Sequence, residues 1–256
     1  MHQFISYIKF LLKSSNQHGA HSPFVYNLIT KCFYDKSEYA EYKILKAYRS
    51  NLLQNPETIK ITDFGSGSKV FTTDERSIKA IAKTSGTSLK ISELLFRIVR
   101  YFQPNTILEL GTNLGIGTHA MALANPKSQI TTIEGCAEIL KVAHQHLLEP
   151  ELSNINTVQG DFRSVIENLN KDTWDLIFFD GHHSQDATLT YFEKLLPKAH
   201  NNSIFIFDDI YWSKGMTEAW ENIKNHPQVT VTVDTFNWGL VFFRKEQFKE
   251  HFKIRV

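Results

Sequence analysis

Six acidic side chains stand where short apolar runs stop and turns begin: Glu109, Glu134, Asp161, Asp180 and the pair Asp208–Asp209. Glu134 closes Ser128-Gln-Ile-Thr-Thr-Ile-Glu134 and lies 134 − 111 = 23 residues beyond Gly111. An acid about 20 residues past a glycine turn, at the tip of the second strand, is where a ribose diol is held, its carboxylate accepting both hydroxyl hydrogens. The bland reading of Glu134 is a surface cap for a helix over Ala137–Leu148. Asp161, followed by Phe162, ends a third run from Ile155 and also suits the N-cap of a helix through Leu169. Asp180 ends Trp174-Asp-Leu-Ile-Phe-Phe-Asp180, and Asp208–Asp209 end Ser203-Ile-Phe-Ile-Phe. Clustered carboxylates repel one another and raise their pKa values. A hard divalent cation such as Mg²⁺ relieves that repulsion and keeps room for water and substrate oxygens. The alternative is that Asp208 and Asp209 cap the next segment. His183 is a side chain suited to taking a proton near neutrality, while His182 is expected to point away from its neighbour. His18 and His21 read as surface or packing residues. Trp212 and Trp238 either line a pocket or belong to the core.

Between the first two acids lies a glycine turn. Thr106-Ile-Leu-Glu109-Leu-Gly111 is a short apolar run ending in an acid and a glycine; Gly115 and Gly117 follow, and then the helix-compatible His119-Ala-Met-Ala-Leu-Ala124. Strand, glycine turn and helix N-terminus together let a ligand approach the backbone and present unpaired N–H groups to an anion. The spacing is G-x-x-x-G-x-G. A dinucleotide fingerprint requires G-x-G-x-x-G, which disfavours a nicotinamide dehydrogenase.

These residues need a scaffold that puts strand tips side by side. From Ser92 the chain alternates regularly: a helical stripe through Leu94, Leu95, Ile98, Val99 and Phe102 stops before Pro104, and strands then end at Gly111, Glu134, Gln159, Asp180 and Phe207, each followed by a helical segment. Such alternation implies a parallel α/β sheet covered on both faces. Val229–Asp234 and Gly239–Arg244 read instead as a closing antiparallel hairpin. Residues 1–88 form a mostly helical N-terminal extension, a substrate lid or dimer contact, ahead of a domain over 89–256. Within the extension Ser22-Pro23 opens a helix over Phe24–Tyr34, and Thr72-x-x-Glu75 resembles a capping box for a helix ending near Gly86. Asp63–Lys69 is a turn without the Gly-Lys-Ser/Thr ending of a phosphate-binding loop; it reads as a connector or a loop at the substrate mouth.

Composition narrows the function classes. The chain has 256 residues, 42% hydrophobic, with 28 Lys+Arg against 27 Asp+Glu for a net charge of +1, so no nucleic-acid footprint is expected. Cys32 and Cys136, 136 − 32 = 104 residues apart, build neither a disulfide framework nor a metal motif, which suits a cytoplasmic setting. The apolar stretch Phe4–Leu12 is broken by Lys9, lacks a cleavage site and is too short to span a bilayer. It reads as an amphipathic helix packed on the domain or on a second subunit of a homodimer, with attachment to a membrane surface as the alternative.

The motif Glu109-x-Gly111-x-x-x-Gly115, with Glu134 at its offset, resembles the first motif of class I S-adenosylmethionine-dependent methyltransferases over residues 90–245. The resemblance implies a Rossmann-like, mostly parallel seven-stranded sheet. It implies that Glu109, Gly111, Thr112, Asn113, Gly115, Gly117, Glu134, Asp161, Phe162 and Asp180 bind the cofactor, Asp161 near the adenine amino group and Phe162 on the ring. Asp180-Gly-His-His183 with the later acidic pair, 208 − 180 = 28 residues on, is similar to metal-dependent O-methyltransferases of the macrolide-sugar and catechol types. That likeness implies Asp180, Asp208 and Asp209 as ligands of Mg²⁺ or another divalent cation, and His183, with Asp180, as the catalytic group. Asp208 stands where the macrolide enzymes have Glu, and Asp209 where the catechol enzymes have Asn. The implied activity is O-methylation of a small hydroxylated molecule. The alternatives are a metal-independent methyltransferase acting on nitrogen or another acceptor, and a cofactor-binding or scaffold protein without turnover.

Overall fold

Apolar runs bounded by glycines and acids become strands buried on both faces, and the amphipathic stripes between them become helices. The computed structural model describes residues 1–62, 74–147 and 152–256; the Asp63–Lys69 turn, Thr72 and Leu148 lie outside them. In chain order the first elements are α1 (His2–Lys13), α2 (Pro23–Leu28), α3 (Glu41–Gln54), β1 (Thr58–Lys60), β2 (Glu75–Ser77), α4 (Ile78–Thr84) and α5 (Leu89–Phe102). They continue as β3 (Thr106–Leu110), α6 (Ile116–Ala124), β4 (Gln129–Glu134), α7 (Ala137–Leu147), β5 (Ile155–Gln159) and α8 (Phe162–Glu167). The last are β6 (Leu176–Phe179), α9 (Gln185–Leu195), β7 (Ile204–Asp208), α10 (Lys214–Asn225), β8 (Val231–Asp234), β9 (Trp238–Phe242) and β10 (Glu250–Lys253).

Two compact units divide the chain, residues 35–165 and residues 1–34 with 166–256, so residues 1–88 are shared between them. In the first unit β3, β4 and β5 run parallel, with Glu109 opposite Thr132 and Glu134 opposite Gln159. Parallel pairing follows from the helices that join successive strands. Helix α5 buries Leu94, Leu95, Ile98 and Val99 and stops at Gln103, whose φ of 49° breaks the helix just before Pro104. Beside them α3, α4 and β1 contribute Tyr48, Leu52, Ile59 and Ile81 to a cluster that includes Leu114 and Ile116 of the glycine turn. This region departs from the helical expectation in one respect: β1 and β2 form an antiparallel pair, Ile59 opposite Arg76. Glu75 therefore sits in a strand, and α4 starts from Ser77.

In the second unit β6 and β7 are parallel, while β9 runs antiparallel to both β7 and β8. The hairpin turns over Thr235, Phe236 and Asn237, Phe236 taking φ 73°. Strand β10 adds to β8 in parallel, Phe252 opposite Val233. Strand order is β10-β8-β9-β7-β6 in this unit and β3-β4-β5 in the first, eight strands where seven were expected. The eighth is β10, whose Glu250-His-Phe-Lys offers no apolar run because it is largely exposed. At the other end of the chain the Ser22 hydroxyl accepts from Val25 N–H with Pro23 in the first helical turn, and α2 continues into a π-helical turn over Ile29–Phe33. Among the described residues no helix is long and apolar enough to cross a membrane.

Candidate active site

The glycine turn is tied to the strand beside it. Gly111 N–H and Thr112 N–H both donate to the Ile133 carbonyl of β4, at 2.9 and 3.1 Å. Gly111 and Gly115 take φ 107° and 78°, and a Cβ on Gly115 would lie 2.8 Å from Leu147 Cδ1. Glycine at 115 thus allows α7 to pack against the turn. Asn113, also left-handed at φ 48°, donates its backbone N–H to Glu134 Oε2 at 2.9 Å, and its side chain bonds Ser85 and Leu114. Glu134 Oε1 accepts from Cys136 N–H at 2.9 Å. Burial raises the Glu134 pKa, and the backbone N–H groups of Cys136, Asn113 and Gly135 oppose the rise. A carboxylate offers about four lone-pair sites, so these bonds leave acceptor capacity for a diol.

Beneath this turn Glu109 is buried. Its Oε2 accepts from Thr118 of α6 at 2.5 Å and from Thr132 of β4 at 2.6 Å, and the Thr132 hydroxyl pairs with Thr112 at 2.6 Å. Burial pushes the Glu109 pKa up to about 7 against the lowering effect of the two threonines, with the nearby charge of Glu134 adding to the rise. Glu109 and Thr112 thus hold strand, turn and helix together from inside. Tyr48 of α3 donates its hydroxyl to the Leu114 carbonyl, fixing the turn from the other side. Sequence reasoning missed Tyr48, Thr118 and Thr132. Only the register that sets Glu109 opposite Thr132 would have revealed the last.

Gly117 is buried in the first turn of α6. Asp161 is exposed and acts as the N-cap of α8, its Oδ2 accepting from Ser164 N–H at 3.1 Å. Phe162, next to it, is half-buried.

In the second unit Asp180 follows the last residue of β6 and Asp208 is the last residue of β7. Asp180, His183 and Asp208 each offer one ligand atom, and these atoms lie within 4.8 Å of one another. His183 Nε2 is 3.9 Å from Asp180 Oδ1. All three side chains are half-buried, accessible to a ligand yet partly shielded from water. Asp209 does not belong to this group. It takes φ 53° and opens a turn in which its carbonyl accepts from Trp212 N–H at 2.8 Å. His182 takes φ 58° and turns its ring to the Ser184 hydroxyl at 3.2 Å and towards Tyr191. The helix after β7 is capped by Ser213, which accepts from Met216 N–H, and not by either aspartate. Tyr211 anchors the intervening turn by donating to Asp234 Oδ2 at 2.5 Å, with Lys253 of β10 3.0 Å from the same oxygen. Trp238 is core, packed on Phe178; Trp212 is half-buried; His18 and His21 are exposed.

With this geometry in view, residues 108–210 match the family model of a methyltransferase domain. Over that segment the chain is similar to methyltransferase domains. Its matched segment runs from β3 through the turn after β7 and so contains the glycine turn, Glu134, Asp180, His183 and Asp208. The fold is shared with solved methyltransferase structures. One is the O-methyltransferase TomG of Streptomyces achromogenes, involved in tomaymycin synthesis and in complex with SAM: TM-score 0.55, 19% identity, covering 62% of this chain and 82% of that one. A second is the SAH-bound methyltransferase of Podospora anserina: TM-score 0.58, 13% identity, covering 82% and 99%. A third is the O-methyltransferase of Bacillus cereus in complex with SAH: TM-score 0.53, 16% identity, covering 82% and 94%.

Proposed function

We propose that the segment resembling a methyltransferase domain transfers the methyl group of S-adenosylmethionine to a hydroxyl oxygen of a small molecule, with a divalent cation held by Asp180 and Asp208 beside His183. The observation that carries this reading is the convergence of those three side chains at the ends of β6 and β7. The likeness to O-methyltransferases in complex with SAM or SAH supports the donor and the acceptor atom. A cytoplasmic setting suits the two buried free cysteines.

Glu134 fits the donor, since two backbone N–H groups orient its carboxylate while acceptor positions remain for ribose hydroxyls. The sulfonium supplies an activated methyl group, which leaves the protein to align donor and acceptor and to remove one proton. Two carboxylates and an imidazole fit a divalent cation, which when bound would polarise the acceptor oxygen. His183 would accept the hydroxyl proton, with Asp180 beside its ring to stabilise the imidazolium. Residues ahead of Ser92 would shape the acceptor pocket.

The place of the His183 ring within the group favours a second reading, in which the imidazole is itself a ligand. Imidazole suits Mn²⁺, Fe²⁺ or Zn²⁺ better than Mg²⁺, and a ligating nitrogen cannot also take a proton. Calorimetry with S-adenosylmethionine and each metal, followed by methyl transfer to hydroxyl and amine acceptors before and after chelation, tests the proposal. Turnover on hydroxyl acceptors that chelation removes is the expected result. Turnover on amines that survives chelation would select a metal-independent enzyme instead.

A further inference from the structure

Helix α1 is turned the opposite way from an ordinary surface helix. At about 100° per residue, Phe4, Ile5, Ile8, Leu11 and Leu12 span an arc of about 120°, and all five are exposed, Phe4 by 68% and Leu12 by 81%. The side packed on the protein is instead the seam through His2, Ser6 and Phe10. His2 Nε2 lies 2.9 Å from Thr217 Oγ1 of α10, and Tyr7 and Phe10 meet Phe236, which stacks on Tyr211. Burying Leu12 or Phe4 would gain more than burying Ser6, so the outward face is shaped for something outside this unit.

Charge distinguishes what that is. Residues 1–34 contain no Asp or Glu, but they contain Lys9, Lys13 and Lys31. Lys9 and Lys13 are exposed; Lys9 falls on the flank between the apolar arc and the buried seam, where a long side chain lies along a bilayer surface with its ammonium at headgroup level, and Lys13 ends the helix on the seam side. A second copy is a poorer fit. An isologous contact brings the same patch against itself, lysines without acids. A helix about 18 Å long also offers a footprint of a few hundred Å², against the about 800 Å² per partner of a stable interface. We infer that the outer face of α1 docks the protein on an anionic lipid bilayer.

The test is sedimentation of the full chain with vesicles of phosphatidylcholine alone and of an equal mixture with phosphatidylglycerol. Binding to the mixed vesicles that weakens with salt is expected. Phe4→Ser with Leu12→Ser, and separately Lys9→Gln with Lys13→Gln, should each lower the partition coefficient by about tenfold or more, with unchanged thermal unfolding. Equal pelleting with and without anionic lipid overturns the inference. So does a stable dimer in analytical ultracentrifugation that Phe4→Ser with Leu12→Ser dissociates, which would assign the face to a second copy.

Discussion

The turn after β3 and the loop after β6 occupy equivalent places in two strand–turn–helix units, yet they are built on different principles. The first is supported from below by the buried Glu109 and three threonine hydroxyls, and from the sides by Tyr48, Ser85 and the Ile133 carbonyl. The acid beside it, Glu134, is held by two backbone N–H groups. The second presents Asp180 and His183 half-buried and 3.9 Å apart, with a left-handed residue, His182, between them. A pre-organised site for a fixed cofactor gains from rigidity, because nothing need be ordered on binding. On the proposed function the second region would take a cation, admit varied acceptors and pass a proton, which needs access. The difference teaches that binding and chemistry can be perturbed separately.

The largest expected effect is on the second region. Asp180→Asn with Asp208→Asn should remove metal-dependent turnover while the protein melts as before, because both residues sit at strand ends outside the packed core. Asp209→Asn should cost much less, since Asp209 is not among the converging groups. Metal titration followed by initial rates checks both, and the reverse ranking would return Asp209 to the ligand set. Next comes His183→Gln, expected to reduce turnover by about 10²–10⁴-fold, the usual range for a positioned base. Initial rates of the variant at saturating metal check it. If the variant instead loses metal affinity, His183 is a ligand.

In the first region the comparable change is smaller and appears in binding. Glu134→Ala should weaken S-adenosylmethionine by roughly 1.5–3 kcal/mol, the scale of charge-assisted hydrogen bonds. Calorimetry of the folded variant measures it, and undiminished affinity would take Glu134 out of the donor site.

How far the sequence revealed these regions depends on what each residue answers to. The strand tips were legible because an apolar run that ends abruptly in an acid has few other uses, and Glu134, Asp180 and Asp208 all stand at or next to such ends. Asp209 and His182 could be sorted from their neighbours only in three dimensions. Successive residues leaving a strand point to opposite sides, and both then take left-handed φ values that no composition rule foretells. The short strands β1, β2 and β10 were illegible for a simpler reason: they are largely exposed, so no apolar alternation marks them. The support under the glycine turn was hidden because threonine is common in strands and its partner depends on register.

That support yields the last prediction, which concerns stability. Glu109 has its folded pKa raised from 4.5 to about 7, mainly by burial. A carboxyl shifted upward holds its proton more tightly when folded, so its contribution is fully present below the unfolded value and is lost as pH rises through about 7. The full shift corresponds to about 3 kcal/mol; local relaxation on ionisation takes up part of it. Glu109→Gln keeps a neutral group of the same shape facing Thr118 and Thr132. The variant should therefore gain on the order of 1–2 kcal/mol at neutral pH and lose the decline between about pH 4.5 and pH 7. Denaturant unfolding of both proteins at several pH values reads the two slopes. Parallel slopes would mean that Glu109 is ionised throughout and that the threonine hydroxyls hold a charge beneath the turn, which would turn this region from a neutral brace into an electrostatic one.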